Sequence, residues 1–179
     1  MTRKTPQRPQ PALRKLATAT PELREPRAAL LAAPLSFLAL YRAEPMERVR
    51  LVKTGMPAAT VEDLSGRMRM SRERLLGALG LARATIDRKA REDKPLSADE
   101  GARVLGMARL IGQVQAMVDE SGATSASAAD FDAAQWLGRW IDEPLPALGG
   151  QRPADFLDTA EGQGIVANLL ARMQSGAYA

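Results

Sequence analysis

The sequence contains no histidine and no cysteine. Without histidine it lacks the commonest general base, the commonest metal ligand and the usual partner of a serine or cysteine nucleophile. Without cysteine it forms no disulfide and no thiolate metal site. An enzyme would have to work with carboxylates alone. Asp155, Asp158 and Glu161 come nearest to a carboxylate cluster, but at a helix start they read as charges set against the dipole. No catalytic residue, cofactor or metal is therefore expected. Aromatic residues make up only 4% of the chain. Long apolar runs are also missing. The longest, from Ala28 to Tyr41, is interrupted by Pro34 and is too short to span a bilayer. It follows a basic leader, as in a secretory signal, yet Arg42-Ala43-Glu44-Pro45 is a poor cleavage site. A buried helix or helical hairpin in a cytoplasmic protein is the expectation. Gly149-Gly150 is no phosphate loop, because it lacks the Gly-x-x-x-x-Gly-Lys pattern and a preceding strand.

What is present favours helices. Alanine, leucine, arginine and glutamate dominate, and 45% of residues are apolar, enough for a packed core. The net charge of +4 conceals an asymmetry. Residues 1–30 and 67–94 each carry +5, whereas residues 119–179 carry −6. A basic front suits nucleic acid, and an acidic back suits a protein partner. Residues 1–27 hold prolines at 6, 9, 11, 21 and 26 and are expected to form a flexible arm.

The stretch from Ser71 to Lys94 reads as two short helices meeting at Gly80. Ser71 caps the first, whose apolar face is Leu75, Leu76 and Leu79. The second runs from about Ala82 to Glu92, with Ile86 inward and a basic outer face. This is the pattern of a helix-turn-helix, which places its second helix in the major groove. Arg83, Thr85 and Arg88 are expected to face base edges; Arg72, Arg74, Lys89, Arg91 and Lys94 are expected to hold phosphates.

Around this motif the pattern predicts further helices. Pro45 opens one that Gly55 ends, and Thr60 is read as the cap of another reaching Met68. Ser97 and Glu100 form a capping box for a helix continuing to Glu120. That helix carries two adjacent apolar stripes, so it is expected to be buried on both sides and to link two domains. Ser121 to Ala129 is a small-residue linker. Asp130 or Phe131 opens a helix with Trp136 and Trp140 on one face, for which core packing is the first reading. Pro144 and Pro146 stop it, and a short helix spans Pro153 to Leu157. Thr159 caps the last helix, whose stripe is Ile165, Val166, Leu169, Leu170 and Met173, and Gly176 ends it.

Together, RATIDRKARED, the capped Leu96-Ser97-Ala98-Asp99-Glu100 start, Trp136-Leu137, Leu148-Gly149-Gly150-x-x-Pro153, Leu157-Asp158-Thr159, Gly162 and the Gly176-Ala177-Tyr178-Ala179 ending resemble the Xre/MbcA/ParS family of type II antitoxins. The resemblance covers roughly residues 45–179, and its C-terminal set is the more specific. It implies an all-α fold in which an N-terminal Xre/Cro-like helix-turn-helix domain is joined by a long helix to a small helical toxin-binding domain. The corresponding division is 1–40 for the arm and apolar segment, 41–120 for the DNA-binding domain and 121–179 for the toxin-binding domain. It further implies an antitoxin that binds a RES-domain, NAD-degrading toxin, represses their shared operon as a homodimer on operator DNA, and has no membrane partner. Toxin-facing residues implied by position are Trp140, Leu148, Gly149, Gly150, Arg172, Ser175, Gly176, Tyr178 and Ala179. On the residues alone, a stand-alone helix-turn-helix regulator with a ligand-sensing or oligomerising C-terminal domain stays open.

Overall fold

Residues 36–121 and 131–175 are described by a computed structural model. The expected arm, most of the Ala28–Tyr41 run, nearly all of the linker and the terminal Gly176, Tyr178 and Ala179 lie outside the described residues.

The described residues form eight α-helices and two 3-10 turns, with no strand. They are α1 (Phe37–Arg42), α2 (Pro45–Thr54), α3 (Thr60–Arg67), α4 (Arg72–Ala78), α5 (Arg83–Arg91), α6 (Ala98–Glu120), α7 (Ala133–Trp140) and α8 (Ala160–Gln174). The 3-10 turns Pro146–Leu148 and Pro153–Phe156 connect the last two helices.

Most helix starts follow from local chemistry. The Ser71 hydroxyl accepts from the Arg74 N–H at 3.3 Å. Ser97 and Glu100 satisfy each other's backbone N–H groups in the expected capping box. Thr159 accepts from Gly162 at 3.0 Å. Two caps differ from expectation. Thr60 is already the first residue of α3, because Ala59 before it has helical dihedrals and the extended geometry of a cap is lost. The cap of α7 is Asp132, which accepts from Gln135 at 3.0 Å. That helix also ends at Trp140, ahead of Pro144, in a turn that the Asp142 and Glu143 N–H groups tighten by donating to Arg139 and Trp140 carbonyls.

The 23-residue α6 is the axis of the fold, with α1, α2, α3, α7 and α8 packed round it. Its two stripes are both covered: Val104, Met107, Ala108 and Ile111 are essentially inaccessible to water. One contiguous core joins Leu40 of α1, Leu64 of α3, Leu75 of α4, Ile86 of α5, Leu137 of α7 and Val166 of α8. The expected stripe of α8 holds at Val166, Leu169 and Leu170, but Ile165 is 41% exposed. It lies one residue, about 100°, round the helix from Val166, outside the arc that α6 covers. Two buried glutamines tie α8 to α6: Gln113 donates to the Ala167 carbonyl, and Gln163 to those of Arg103 and Leu157.

Candidate functional site

The helix-turn-helix is built by α4 and α5 against α6. Gly80 turns the chain between them at φ 59°, a conformation that costs glycine nothing sterically. The corner is fixed from outside. The Arg103 guanidinium of α6 donates to the Leu79 carbonyl at 3.0 Å and the Gly80 carbonyl at 2.8 Å, and also pairs with Asp99. These bonds satisfy carbonyls that the end of α4 leaves without helical donors.

At about 100° per residue, Ala84, Arg88 and Arg91 centre the face of α5 opposite the buried Ile86. Arg83 and Thr85 flank that face. Arg83 and Arg88 project with exposed side chains, and each has a carboxylate companion: Glu73 at 3.0 Å and Asp87 at 3.5 Å for Arg83, Glu92 at 3.6 Å for Arg88. Lys94 is exposed and pairs with Glu92 at 2.8 Å, and the Arg91 guanidinium donates to the Asp87 carbonyl at 3.4 Å. This subset forms one accessible basic surface.

The other cations expected at phosphates are committed inside the protein. Arg72 lies between Glu62, at 3.2 Å, and Asp87. Lys89, on the α6 side of its helix, pairs with Glu100 in a site where both side chains are only 15% exposed. Arg74 pairs with Asp142, beyond α7. Asp87 and Asp142, which sequence reasoning passed over, therefore set where three of the arginines point. The Arg72 hydrogen bond holds the Asp87 carboxyl below its ordinary range, with the Arg72 and Arg83 charges adding to it. At Glu100 burial works upward, but hydrogen bonds from Lys89 and Ser97 prevail and lower it. For Asp87 a signal was in the sequence: a carboxylate four residues after Arg83 on one helix is an ion-pair spacing. For Asp142 there was none, because it meets Arg74 only through the tertiary fold.

Toward the C-terminus, Leu148, Gly149 and Gly150 form a turn in which Leu148 is half-buried against the core and the two glycines are exposed, with φ of 66° and 83°. The turn closes by a Gly150 N–H bond to the Leu145 carbonyl at 2.9 Å. Arg172 and Ser175 are exposed at the far end of α8, where the Ser175 hydroxyl donates to the Arg172 carbonyl. Trp140 stands apart from this set. It is 5% exposed and stacks on Trp136 with ring centres 5.5 Å apart, so it is part of the core rather than of an exposed contact surface. Among the described residues no group of His, Cys, Asp or Glu side chains is placed to hold a metal ion, and no helix is long and apolar enough to cross a membrane.

Residues 47–109 match the antitoxin Xre-like helix-turn-helix domain, and residues 128–176 match the antitoxin Xre/MbcA/ParS C-terminal toxin-binding domain. The chain is 44% identical over 146 residues to a protein named "Prs ADP-ribosylating antitoxin" from Sphingobium sp. (strain YBL2), an alignment covering 82% of this chain and 89% of that one. The chain belongs to the Xre/MbcA/ParS antitoxin family. It is thus an antitoxin of a toxin–antitoxin system, a non-enzymatic role, with an all-α fold, a helix-turn-helix domain and a toxin-binding domain. The basic face of α5 lies in the first matched region, whereas Leu148–Gly150, Arg172 and Ser175 lie in the second.

Proposed function

We propose that this antitoxin neutralises a cytoplasmic RES-type toxin that consumes NAD and represses the operon encoding both proteins. The toxin-binding domain over residues 128–176 is the observation that carries the first half. The relative's name ties its system to ADP-ribosylation. ADP-ribosyl transfer cleaves NAD at the nicotinamide bond, so a toxin that transfers ADP-ribose and one that hydrolyses NAD share the same first substrate. The relative favours ADP-ribosyl transfer as the reaction being restrained here. Leu148–Gly150, Arg172, Ser175 and the terminal Gly176–Ala179 are the toxin-facing set in this reading, and Trp140 holds their platform.

The repressor half rests on the accessible basic face of α5. Arg88 and Arg83 are assigned to guanine edges, with Thr85 beside them, and Arg91 and Lys94 to phosphates, while Arg74 stays with Asp142. Arg72 and Lys89 act as struts that set the angle of α5. A homodimer reads two half-sites about 34–36 Å apart, one turn of B-DNA.

Co-expression with the toxin encoded beside the antitoxin tests the first half. Intact antitoxin preserves cellular NAD and blocks ADP-ribosylation, and removal of Gly176–Ala179 restores both activities. Full protection after that deletion would move inhibition from the tail to the domain surface. For the second half, Arg83→Ala with Arg88→Ala abolishes specific shifts of promoter DNA; a retained specific shift overturns the assignment.

A further inference from the structure

Among the described residues four large apolar side chains stand exposed: Tyr41, Met46, Val49 and Ile165. Two of them, Tyr41 and Val49, line one groove, and Met46 and Ile165 are chain neighbours of Pro45 and Gly164, which also line it. Helices α2, α6 and α8 wall this groove of about 540 Å3. Its floor is apolar, with Val52, Leu105 and Leu110. Its polar rim is of one sign: Arg48, Lys53 and Arg109 line it, and no carboxylate does.

The cations of the helix-turn-helix are mostly paired within the protein. Those of the groove are not. Arg48 donates to the Tyr41 and Ala43 carbonyls, and neither it, Lys53 nor Arg109 has a carboxylate partner among the described residues. Burial, then the charge of Arg48, lowers the pKa of Arg109 from its ordinary value. This apolar groove is therefore ringed by uncompensated positive charge.

Charge selects the occupant. The chain's own residues 1–30 carry +5, the same sign as the rim, which disfavours them as occupant. A second copy on a two-fold axis would set Arg48 and Arg109 against the same cations, since such an interface joins identical patches. DNA offers anions but no apolar surface for the floor. One wall, α8, lies within the toxin-binding region, so the groove is continuous with a surface already directed at a protein.

We infer that the groove between α2, α6 and α8 is a docking face for the toxin, receiving an amphipathic segment with apolar side chains on the floor and carboxylates against Arg48, Lys53 and Arg109. It rests on the reading of the chain as antitoxin to the toxin encoded beside it. The test titrates purified toxin against full-length wild type, Val49→Glu, Arg109→Glu and the milder Arg109→Gln. Both glutamate variants weaken toxin binding about tenfold or more, and Arg109→Gln does so by several-fold, while melting temperature, oligomeric state and promoter binding stay as in wild type. Wild-type affinity in all folded variants overturns the inference. So does loss of self-association with toxin affinity intact, which makes the face an interface between copies. Loss of promoter binding alone makes it a nucleic-acid face and overturns the inference equally. If wild type itself fails to bind the toxin, the antitoxin pairing falls before the groove is reached.

Discussion

Gly138→Ala tests whether the toxin-binding region and the helix-turn-helix region are one folding unit. Gly138 lies where α7 meets the end of α3. A Cβ there would stand 2.4 Å from the Met68 carbonyl oxygen and 3.2 Å from the Met68 Cβ. The obstacle at 2.4 Å is backbone, so no side-chain rotation relieves it. Helix α7 has to retreat, and its neighbours Leu137 and Ile141, both fully buried, lose packing with it. Overpacking of this kind costs about 1–3 kcal/mol, and the backbone obstacle sets the expectation at about 3. Alanine returns about 1 kcal/mol through helix propensity. The net loss of about 2 kcal/mol lowers the melting temperature by about 4–8 °C for a chain of this size. Gly164→Ala is the control. It sits inside α8, exposed, with nothing within 4 Å of its Cβ position. There propensity acts alone, and the melting temperature rises by about 2–4 °C. The same substitution thus changes sign between two helices of one region. Thermal unfolding of the free antitoxin by circular dichroism reads both shifts. A Gly138→Ala variant as stable as wild type would mean that α7 is not seated on Met68 and that the shared core is wrong.

Three further outcomes follow from the ion pairs and the tryptophan stack. Lys89→Ala lowers stability and leaves the salt dependence of promoter binding unchanged, whereas Arg91→Ala and Lys94→Ala each reduce the slope of log K against log salt by about 1; a reduced slope for Lys89→Ala would return that lysine to the DNA surface. Asp87 and Glu100 are held below their ordinary values, so in acid the unfolded chain binds protons more readily than the native one. Denaturant midpoints therefore fall as pH drops below about 5, and with no histidine they stay nearly flat from about pH 5.5 to 7.5; a transition near pH 6.5 would contradict this. Trp140→Ala costs about 3–5 kcal/mol through the cavity it leaves, while Arg172→Ala weakens toxin binding without moving the melting temperature; equal melting temperatures for the two would refute the division between platform and contact surface.

The helices were legible because their signals are local. Ser71, Ser97 and Thr159 are caps whose partners lie three residues away, and the two stripes of α6 announce a helix covered on both sides. Thr60 misled because a hydroxyl before an apolar run marks a cap only if the preceding backbone is extended, and Pro57–Ala59 had already turned. At the proposed DNA surface, charge type was legible and charge destination was not. Lys89 and Arg91 look alike in the string RATIDRKARED, yet two positions round the helix separate a lysine buried against Glu100 from an arginine in water. A helical projection from Ile86 distinguishes them. No projection finds Asp142 for Arg74, or the groove cations as a set, since Arg48 and Arg109 come together only when α2 packs on α6.

The internal pairs bear directly on the proposed reading of DNA. An arginine that orders only on binding loses rotamer freedom at that moment, whereas one already held by a neighbour has lost it during folding. Arg83 sits between Glu73 and Asp87, and Asp87 is itself held by Arg72, which also reaches Glu62. This chain of charges runs from α3 through α4 into α5, so Arg83, the side chain proposed to read a base, is oriented by three helices. Lys89 and Glu100 fix the opposite edge of α5 to the capping box of α6, and Arg103 fixes the turn to the second turn of the same helix. The corner is backed by the second region as well, since a Cβ on Gly80 would lie 3.0 Å from that of Asp158. A recognition helix braced in this way cannot tilt without disturbing α6, and α6 carries α7 and α8, the helices of the toxin-binding region. On the proposed reading, the DNA-facing and toxin-facing elements are therefore joined through α6. Arg74 of α4 pairs with Asp142 just beyond α7, a polar contact between the two matched regions.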